Sequence, residues 1–257
     1  MAKSPEARYT SEFKNDDLYE LLNCKNHPEY FISKYVKVTN CDTGLTNIRM
    51  NKVTLRMLAR IHKNKKVLIN KTRQTGCSII NCAYILWYSI FNSNRVSVIL
   101  APNLSISESL LDIIREMNNQ LPELFKQTLV VNNVREIRFY NGSIIKATSI
   151  HNSLNQLRGY SINHLYIDEI TFIDSEKLKI LFSSILPVIF SINNSKLILS
   201  SGNYNHNFSK EIVEKLISPG FVVCKIPWHF IPGLTTIWKL ETIINIGWDA
   251  WNSEFEV

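Results

Sequence analysis

The feature of this sequence that most limits its fold is a regular alternation of short apolar segments with longer, helix-like segments from Val67 onward. The short segments have the length and composition of buried strands, and the longer ones carry apolar residues at helical spacing. Such alternation predicts an α/β fold, with a mostly parallel sheet covered by helices on both faces. Ligands of these sheets bind beyond the carboxyl ends of the strands, so the predicted strand ends are the candidate site.

The predicted secondary structure follows the apolar spacing and the turn residues. The predicted strands are Val67–Asn70, Val96–Ala101, Leu165–Ile167, Leu197–Ser200 and Phe221–Ile226. A hairpin is predicted at Glu136–Tyr140 and Ser143–Thr148, joined by Asn141-Gly142. The predicted helices are Asp16–Asn23, Pro28–Val38, Leu55–His62, Ser78–Phe91, Ser105–Asn119, Ser175–Phe190 apart from Pro187, Ser209–Ile217 and Thr235–Ile246.

Composition excludes several classes of protein. The 257 residues are 45% hydrophobic, which is enough for a core and excludes disorder and coiled coil. The apolar run Ile79–Ile90 is too short to span a bilayer, and the N-terminus lacks the apolar segment of a signal peptide. Five cysteines without zinc-ligand spacing fit a reducing compartment, with most of them buried. The net charge of +7 fits an ordinary basic surface or a polyanion partner, and charge alone does not decide between them.

The first candidate strand end is the segment Lys71–Ser78, compared here with the phosphate loop G-x-x-x-x-G-K-[ST], or Walker A motif. Gly76 and Ser78 match its second glycine and its hydroxyl, whereas Lys71 stands at its first glycine and Cys77 at its lysine. A strand–turn–helix of this kind still offers backbone N–H groups to an anion. Lys71 and Arg73 add cations on the same turn. Taken alone, the segment also fits an ordinary turn.

The second candidate is the apolar segment that ends in Asp168 and Glu169, which has the pattern of a Walker B strand. In that pattern the aspartate holds Mg²⁺ at the phosphates, through water. The glutamate orients and deprotonates the attacking water. An exposed acidic pair at a strand end is the alternative.

The third candidate is the end of the next strand, where Ser200, Ser201, Gly202 and Asn203 follow one another. Hydroxyl groups at this position suit a sensor that contacts phosphate or water. A plain turn of small polar residues is the alternative.

Taken in order, these segments resemble the ATPase part of large terminases, the DNA-packaging motors of tailed bacteriophages, and most closely the T-even type. The resemblance covers about residues 20–257. The matching segments are Pro28–Phe31 with Lys34–Val36, Arg73-Gln74-x-Gly76, Asn141–Ser143, Leu157–Gly159, Tyr166–Glu169, Ser200–Asn203, Ile226–Trp228 with Pro232-Gly233, and Ile246-Gly247 with Glu254-Phe255.

The resemblance implies a P-loop NTPase of the ASCE or RecA-like kind, with a small helical segment at residues 1–60 and an ATPase core at residues 61–257. It implies ATP and Mg²⁺ as cofactors. The residues it implies for ATP binding are Lys71, Thr72, Arg73, Gln74, Thr75, Gly76, Cys77 and Ser78.

The resemblance also implies individual roles. Ser78 and Asp168 hold the metal ion, and Glu169 activates the attacking water. Lys71 and Arg73 neutralise phosphate charge, Arg73 acting in cis at the γ-phosphate. Hydrolysis is coupled to movement through Ser200, Ser201 and Gly202, and Arg158 serves as a sensor or reaches a neighbouring subunit.

Two positions depart from the family's pattern. Cys77 replaces the usual lysine, but some terminases carry this lysine at the start of the loop, where Lys71 stands. A relocated lysine is therefore the preferred interpretation, and an inactive site is the alternative. Thr54 stands at the place of the glutamine that contacts adenine, which leaves adenine recognition open.

The function implied is a motor that hydrolyses Mg-ATP to move double-stranded DNA into the procapsid. The partners implied are double-stranded DNA, the portal protein, the small terminase subunit and further copies of the chain in a ring, in the host cytoplasm and transiently at the portal vertex, without a membrane. Family enzymes continue into an RNase-H-like nuclease domain where this sequence ends, so no nuclease activity is expected from it.

Two alternatives differ in class. A DEAD-like helicase shares the acidic strand end but needs a second similar domain, for which few residues follow Ser201. A degenerate nucleotide-fold scaffold binds DNA or portal without hydrolysis. Cys77 favours the scaffold, whereas the retained pair Asp168 and Glu169 opposes it.

Overall fold

A computed structural model of the chain describes residues 15–40, 44–73, 75–150, 157, 159–202 and 220–256. The strands within these ranges are β1 (Lys37–Asn40), β2 (Gly44–Asn47), β3 (Lys66–Lys71), β4 (Val96–Ala101), β5 (Leu129–Asn133), β6 (Glu136–Phe139), β7 (Ile144–Ser149), β8 (His164–Ile167), β9 (Lys196–Ser201) and β10 (Val222–Ile226). The helices are α1 (Asn15–Asn26), α2 (Pro28–Tyr35), α3 (Lys52–Lys63), α4 (Cys77–Phe91), α5 (Leu104–Asn119), α6 (Ser175–Phe190), α7 (Thr236–Ile246) and α8 (Trp248–Glu254).

Eight of the strands form one sheet in the order β10-β3-β9-β8-β4-β7-β6-β5. The strands from β10 to β7 are parallel, and β6 and β5 extend the sheet antiparallel. The carboxyl ends of β3, β9 and β8 therefore lie side by side at one edge of the sheet. This is the edge at which the three candidate segments were predicted to meet.

Successive side chains along each central strand point to opposite faces of the sheet, and both faces are covered by helices. Val67 and Ile69 pack into one apolar cluster with α3, α4 and α5, while Leu68 between them packs into a second cluster with α6. The predicted α/β architecture, with helices on both faces of a mostly parallel sheet, is confirmed. The division at residue 60 stays a prediction.

Some elements differ from those predicted. The helix expected to reach Val38 ends at Tyr35, because Val36 is buried and pairs with Ile48 as the chain enters the β1–β2 hairpin. The expected interruption at Pro187 is also wrong, since α6 continues through it to Phe190. The hairpin β1–β2, strand β5 and helix α8 were not predicted, and the expected helix Ser209–Ile217 lies outside the described residues.

The four described cysteines are free thiols: Cys24, Cys77, Cys82 and Cys224. All four are buried, as predicted for most of the cysteines. In the described part of the chain, no helix has the length and apolar character needed to cross a membrane. In the same residues, no three His, Cys, Asp or Glu side chains cluster as a metal site.

After strand β10 the chain forms a small cluster of aromatic side chains. Helices α7 and α8 pack around Trp251, which is fully buried, with ring contacts to Trp228, Trp238 and Phe255. The Trp251 indole N–H donates to the carboxylate of Glu256 at 2.8 Å. This packing fixes the end of α8 close to the segment that follows β3.

A buried histidine at the start of β8 makes a prediction about stability. His164 is fully buried beside Tyr84 and Tyr88, and neither ring nitrogen has a hydrogen-bond partner among the described residues. Burial, with a smaller contribution from the Lys196 ammonium, lowers the pKa of His164 to about 3. The unfolded chain takes up this proton below pH ~6.5, and the folded chain does not, so stability falls as the pH falls from 6.5 towards 3.

The expected loss attributable to His164 is about 2 kcal/mol between pH 7 and pH 5. Urea unfolding of His164→Leu at both pH values should therefore show a smaller pH-dependent loss of free energy than the unsubstituted chain. His27→Leu, at an exposed position, is the control and should leave the pH dependence unchanged. Equal losses in the His164→Leu variant and the unsubstituted chain would show that this histidine is not the titrating group.

Candidate active site at the carboxyl ends of three strands

The segment between β3 and α4 has the form of a phosphate-binding turn. Gly76 precedes the first turn of α4 with φ +72°, a left-handed conformation that favours glycine, and an added Cβ would meet no atom of the described residues within 4 Å. The Cys77 N–H is approached by the Thr75 hydroxyl at 3.4 Å. A left-handed glycine directly before a helix N-terminus is compatible with an anion at this turn, and anion binding itself stays a prediction.

Lys71 lies at the end of β3 and pairs with the glutamate of the acid pair. Its Nζ is 2.5 Å from Glu169 Oε1, and only 9% of the Lys71 side chain is exposed. Burial acts to lower the pKa of Lys71, but its neighbours Cys77, Glu169 and Asp168 act in the opposite direction, and the net pKa is raised. The ammonium is therefore charged at neutral pH. A cation from the start of the loop and an acid from β8 meet although 98 residues separate them in sequence.

Asp168 is held by three hydroxyl groups. Its Oδ1 accepts from Tyr166 at 2.7 Å and from Ser200 at 2.5 Å, and its Oδ2 accepts from Ser78 at 3.1 Å. Burial raises the pKa of the Tyr166 hydroxyl and Asp168 raises it further, so this group stays a donor. One carboxylate oxygen is thus fixed by the sheet, while the other faces Ser78 at the start of α4.

The pair formed by Ser78 and Asp168 suits a hard divalent cation. A hydroxyl and a carboxylate oxygen lie together at the helix N-terminus, and Mg²⁺ is usually bound through one or two such protein oxygens, with water and phosphate completing its shell. This donor set therefore fits the metal ion that the resemblance implies.

Glu169 adopts an uncommon backbone conformation beside this pair. Its φ of +50° and ψ of +54° lie in the left-handed region, where a residue with a side chain is disfavoured by about 1–2 kcal/mol. Its N–H donates to Ser200 Oγ at 3.3 Å. The contacts with Ser200 and Lys71 hold the carboxylate at the sheet edge rather than letting it turn to solvent.

Cys77 occupies the place where most phosphate loops have lysine. It is 2% exposed, and burial raises the pKa of its thiol to about 12. The amide of Asn81 donates to its carbonyl at 3.0 Å and to its sulfur at 3.5 Å. This side chain is consequently a neutral packing group, and the positive charge of the loop comes from other residues.

The predicted cation Arg73 faces the end of α8. The Arg73 guanidinium pairs with the carboxylate of Glu254. The backbone N–H of Arg73 donates to the backbone carbonyl of Glu254 at 3.2 Å. The neighbouring Thr72 N–H donates to the Ile226 carbonyl at 3.1 Å. Most of the Arg73 side chain remains exposed, so the ion pair contributes little to stability. The described structure brings Lys71, Ser78, Asp168 and Glu169 together and places Arg73 at the rim.

The third predicted segment also lies at this edge. Ser200 and Ser201 are buried at the end of β9, between β3 and β8, and a Cβ at Gly202 would lie 3.9 Å from Glu169 Oε2. Ser200 touches both acids, whereas the Ser201 hydroxyl donates to the Gly202 carbonyl at 3.0 Å. Gln74, Arg158 and Asn203 lie outside the described residues.

Thr54 takes part in capping the N-terminus of α3. Its hydroxyl accepts from the Asn51 N–H at 2.8 Å, and the Asn51 side chain accepts from the Val53 and Thr54 N–H groups, which forms a capping box.

Two contributing residues had no role in the sequence interpretation. Tyr166 was quoted only as part of the acidic strand, yet it lies two residues before Asp168, on the same face of the strand. That spacing was a usable signal. Glu254 reaches the loop from a distant part of the chain, and nothing in the sequence indicates that contact.

No protein-family model matches the sequence. The ATPase domain of the Thermus phage P74-26 large terminase matches with a TM-score of 0.62 and 16% identity, over 81% of this chain and 93% of that domain. The HK97 bacteriophage large terminase matches with a TM-score of 0.68 and 13% identity, over 90% of this chain and 54% of that protein.

The large terminase of the thermophilic bacteriophage D6E, in complex with ATP-γ-S, matches with a TM-score of 0.59 and 10% identity, over 80% of this chain and 52% of that protein. The chain thus spans about half the length of the HK97 and D6E proteins. The UvsW helicase of bacteriophage T4 matches with a lower TM-score of 0.51, at 12% identity over 86% of this chain and 71% of that chain. At identities this low the similarity shows the fold alone: the chain shares the α/β fold of the ATPase domains of phage large terminases.

Proposed function

We propose that this chain is the ATPase motor domain of a phage DNA-packaging terminase, hydrolysing Mg-ATP to translocate double-stranded DNA into a procapsid. The observation that carries the proposal is the convergence of Lys71, Ser78, Asp168 and Glu169 at one sheet edge, beside the N-terminus of α4. A cation, a metal-binding oxygen pair and a carboxylate at a phosphate-binding turn are the parts that phosphoryl transfer requires.

The charges of the site suggest how binding leads to hydrolysis. Lys71 forms an ion pair with Glu169. In our proposal the incoming triphosphate draws the Lys71 ammonium to its own oxygens, which frees the Glu169 carboxylate to accept a proton from the attacking water. Ser78 and Asp168 would hold Mg²⁺, which neutralises charge on the phosphate oxygens.

The remaining residues would position these groups. Tyr166 and Ser200 fix Asp168, and the Ser200 contact with the Glu169 N–H ties the two acids to β9. We propose that Ser200, Ser201 and Gly202 report the state of the nucleotide through this strand. Arg73 would have to leave Glu254 to reach a γ-phosphate, and Arg158 remains a proposed sensor or neighbour-directed residue.

The proposed assembly follows the likeness to terminases. The partners would be double-stranded DNA, the portal protein, the small terminase subunit and further copies of the chain in a ring on the portal vertex. An arginine supplied by a neighbour can be worth ~10³ or more in rate at a phosphoryl-transfer site. Hydrolysis by the isolated chain would then be slow and would rise on assembly.

Phosphate release by the purified chain tests the proposal directly. Release from ATP should require Mg²⁺ and should increase with duplex DNA. In a triplex displacement assay, a duplex translocase removes the third strand and leaves the duplex intact, whereas a helicase separates the two strands of a forked duplex. The control reaction omits Mg²⁺.

Each outcome separates one alternative from the proposal. Nucleotide binding without phosphate release, with or without DNA and portal, would support the degenerate scaffold. Strand separation would support the helicase-like translocase, although the fold is less similar to the UvsW helicase than to the terminases.

A further inference from the structure

The positive charge of the chain is concentrated around one helix. Residues 49–66 contain seven lysines and arginines and no aspartate or glutamate, which equals the net charge of +7 of the whole chain. Four of these cations lie in α3. We call Lys52, Arg56, Arg60 and Lys63 the α3 basic face.

The four cations project from one side of the helix. At about 100° per residue, they fall within an arc of about 80°. All four are exposed, whereas Met57, Leu58 and Ile61 on the opposite side are buried in the core. At about 1.5 Å per residue, the row is about 16 Å long.

The stability of α3 does not account for this arrangement. Within the described residues, none of the four cations is in an ion pair with an acid. Like charges at i,i+4, such as Lys52 and Arg56, destabilise a helix, and a cation at its first residue opposes the helix dipole. Only Arg60 and Lys63, in the last turn, are favourably placed.

Both ends of α3 are nevertheless firmly held. The capping box of Asn51 and Thr54 satisfies the first turn. At the other end the Lys196 ammonium donates to the carbonyls of Ile61, His62 and Asn64 at 2.9, 2.7 and 3.1 Å. The basic face is thus presented on a rigid support.

We propose that the α3 basic face binds the sugar–phosphate backbone of double-stranded DNA. A row of about 16 Å matches about five phosphates along one strand, at about 3.4 Å of axis per phosphate. Arginine forks suit phosphate oxygens, and contacts confined to the backbone carry no sequence preference. The choice of duplex DNA over other polyanions rests on the proposed function.

This surface is connected to the candidate active site. Helix α3 packs on β3 and β10. The carbonyl of Ile226, at the end of β10, accepts from the Thr72 N–H in the phosphate loop. DNA bound to α3 would therefore contact a helix that packs on β3 and β10, the two strands that hold the phosphate loop.

The test compares two variants that lose the same charge. Lys52→Gln/Arg56→Gln/Arg60→Gln removes three cations of the basic face, and Lys25→Gln/Lys126→Gln/Lys179→Gln removes three exposed lysines elsewhere. The affinity of each for a fluorescent mixed-sequence duplex is measured against salt concentration, without nucleotide. The α3 variant should lose about three from the slope of log K against log salt and bind on the order of 10²-fold more weakly near 0.1 M salt. The control should keep the slope.

A charge-preserving variant serves as the control for misfolding. Lys52→Arg/Arg56→Lys/Arg60→Lys should retain the slope, and none of the three variants should lower the melting temperature. The inference would be overturned if the α3 variant and the control had equal slopes, or if the unsubstituted chain did not bind duplex DNA. It would also be overturned if an acidic protein bound through α3 while the affinity for DNA was unchanged in the α3 variant. Because the assay contains no nucleotide, a failure of ATP hydrolysis would not affect it.

Discussion

ATP hydrolysis by a Lys71→Ala variant is expected to fall by about 10²- to 10³-fold or more, while the fold is kept. The Lys71 ammonium is at the start of the loop, nearly buried, and 2.5 Å from Glu169. The residue at the usual lysine position, Cys77, is a neutral thiol with its pKa raised to about 12. No other side chain in the described phosphate loop brings a cation to the two acids. Loss of the Lys71 ammonium therefore leaves the negative charge of the phosphates uncompensated by the loop.

The matched control is Cys77→Ala, which removes a buried sulfur and no charge. Its rate should stay within a few-fold of the unsubstituted chain, with a lower melting temperature because a small cavity forms. Steady-state rates with saturating Mg-ATP and thermal melts of both variants provide the comparison. Loss of ATP hydrolysis in the Cys77→Ala variant, together with retained hydrolysis in the Lys71→Ala variant, would reverse the roles assigned to the two residues.

Much of this site was predictable because its parts are local. A buried strand followed by Asp168 and Glu169, and a strand–turn–helix with Gly76 and Ser78, each occupy a few consecutive residues. The alternation of strands and helices then implies that parallel strands deliver both segments to one edge. The position of the acids relative to Ser78 follows from these rules without knowledge of any long-range contact.

The pairing of Lys71 with Glu169 was beyond such rules. It depends on β9 lying between β3 and β8, and on the left-handed backbone of Glu169 that turns its carboxylate back to the sheet edge. Neither the order of strands nor a positive φ at a glutamate is encoded in a local pattern.

The contacts of Arg73 were missed for a related reason. The sequence shows an arginine in a phosphate loop, but its partner Glu254 lies at the end of α8, a short helix without a strong periodic signal. The packing of Trp251 among other aromatic rings brings that helix to the loop. Tertiary packing, rather than propensity, decides where this arginine points.

Replacing Glu169 by glutamine is expected to separate binding from hydrolysis. The carboxamide has the same size but cannot take a proton from water, and a general base contributes about 10²- to 10⁴-fold to the rate. The substitution also removes the carboxylate charge that pairs with Lys71. ATP should therefore bind at least as tightly as in the unsubstituted chain, while phosphate release falls to background.

Asp168→Asn is the informative counterpart, because it changes the other acid by the same chemistry. It removes the carboxylate that faces Ser78, so binding of ATP should lose its dependence on Mg²⁺ while metal-free binding persists. Nucleotide affinity measured with and without Mg²⁺, together with phosphate release, distinguishes the two variants. Full hydrolysis by Glu169→Gln would remove Glu169 from the role of base, and weakened ATP binding by the same variant would mean that Lys71 does not exchange between the glutamate and the phosphates.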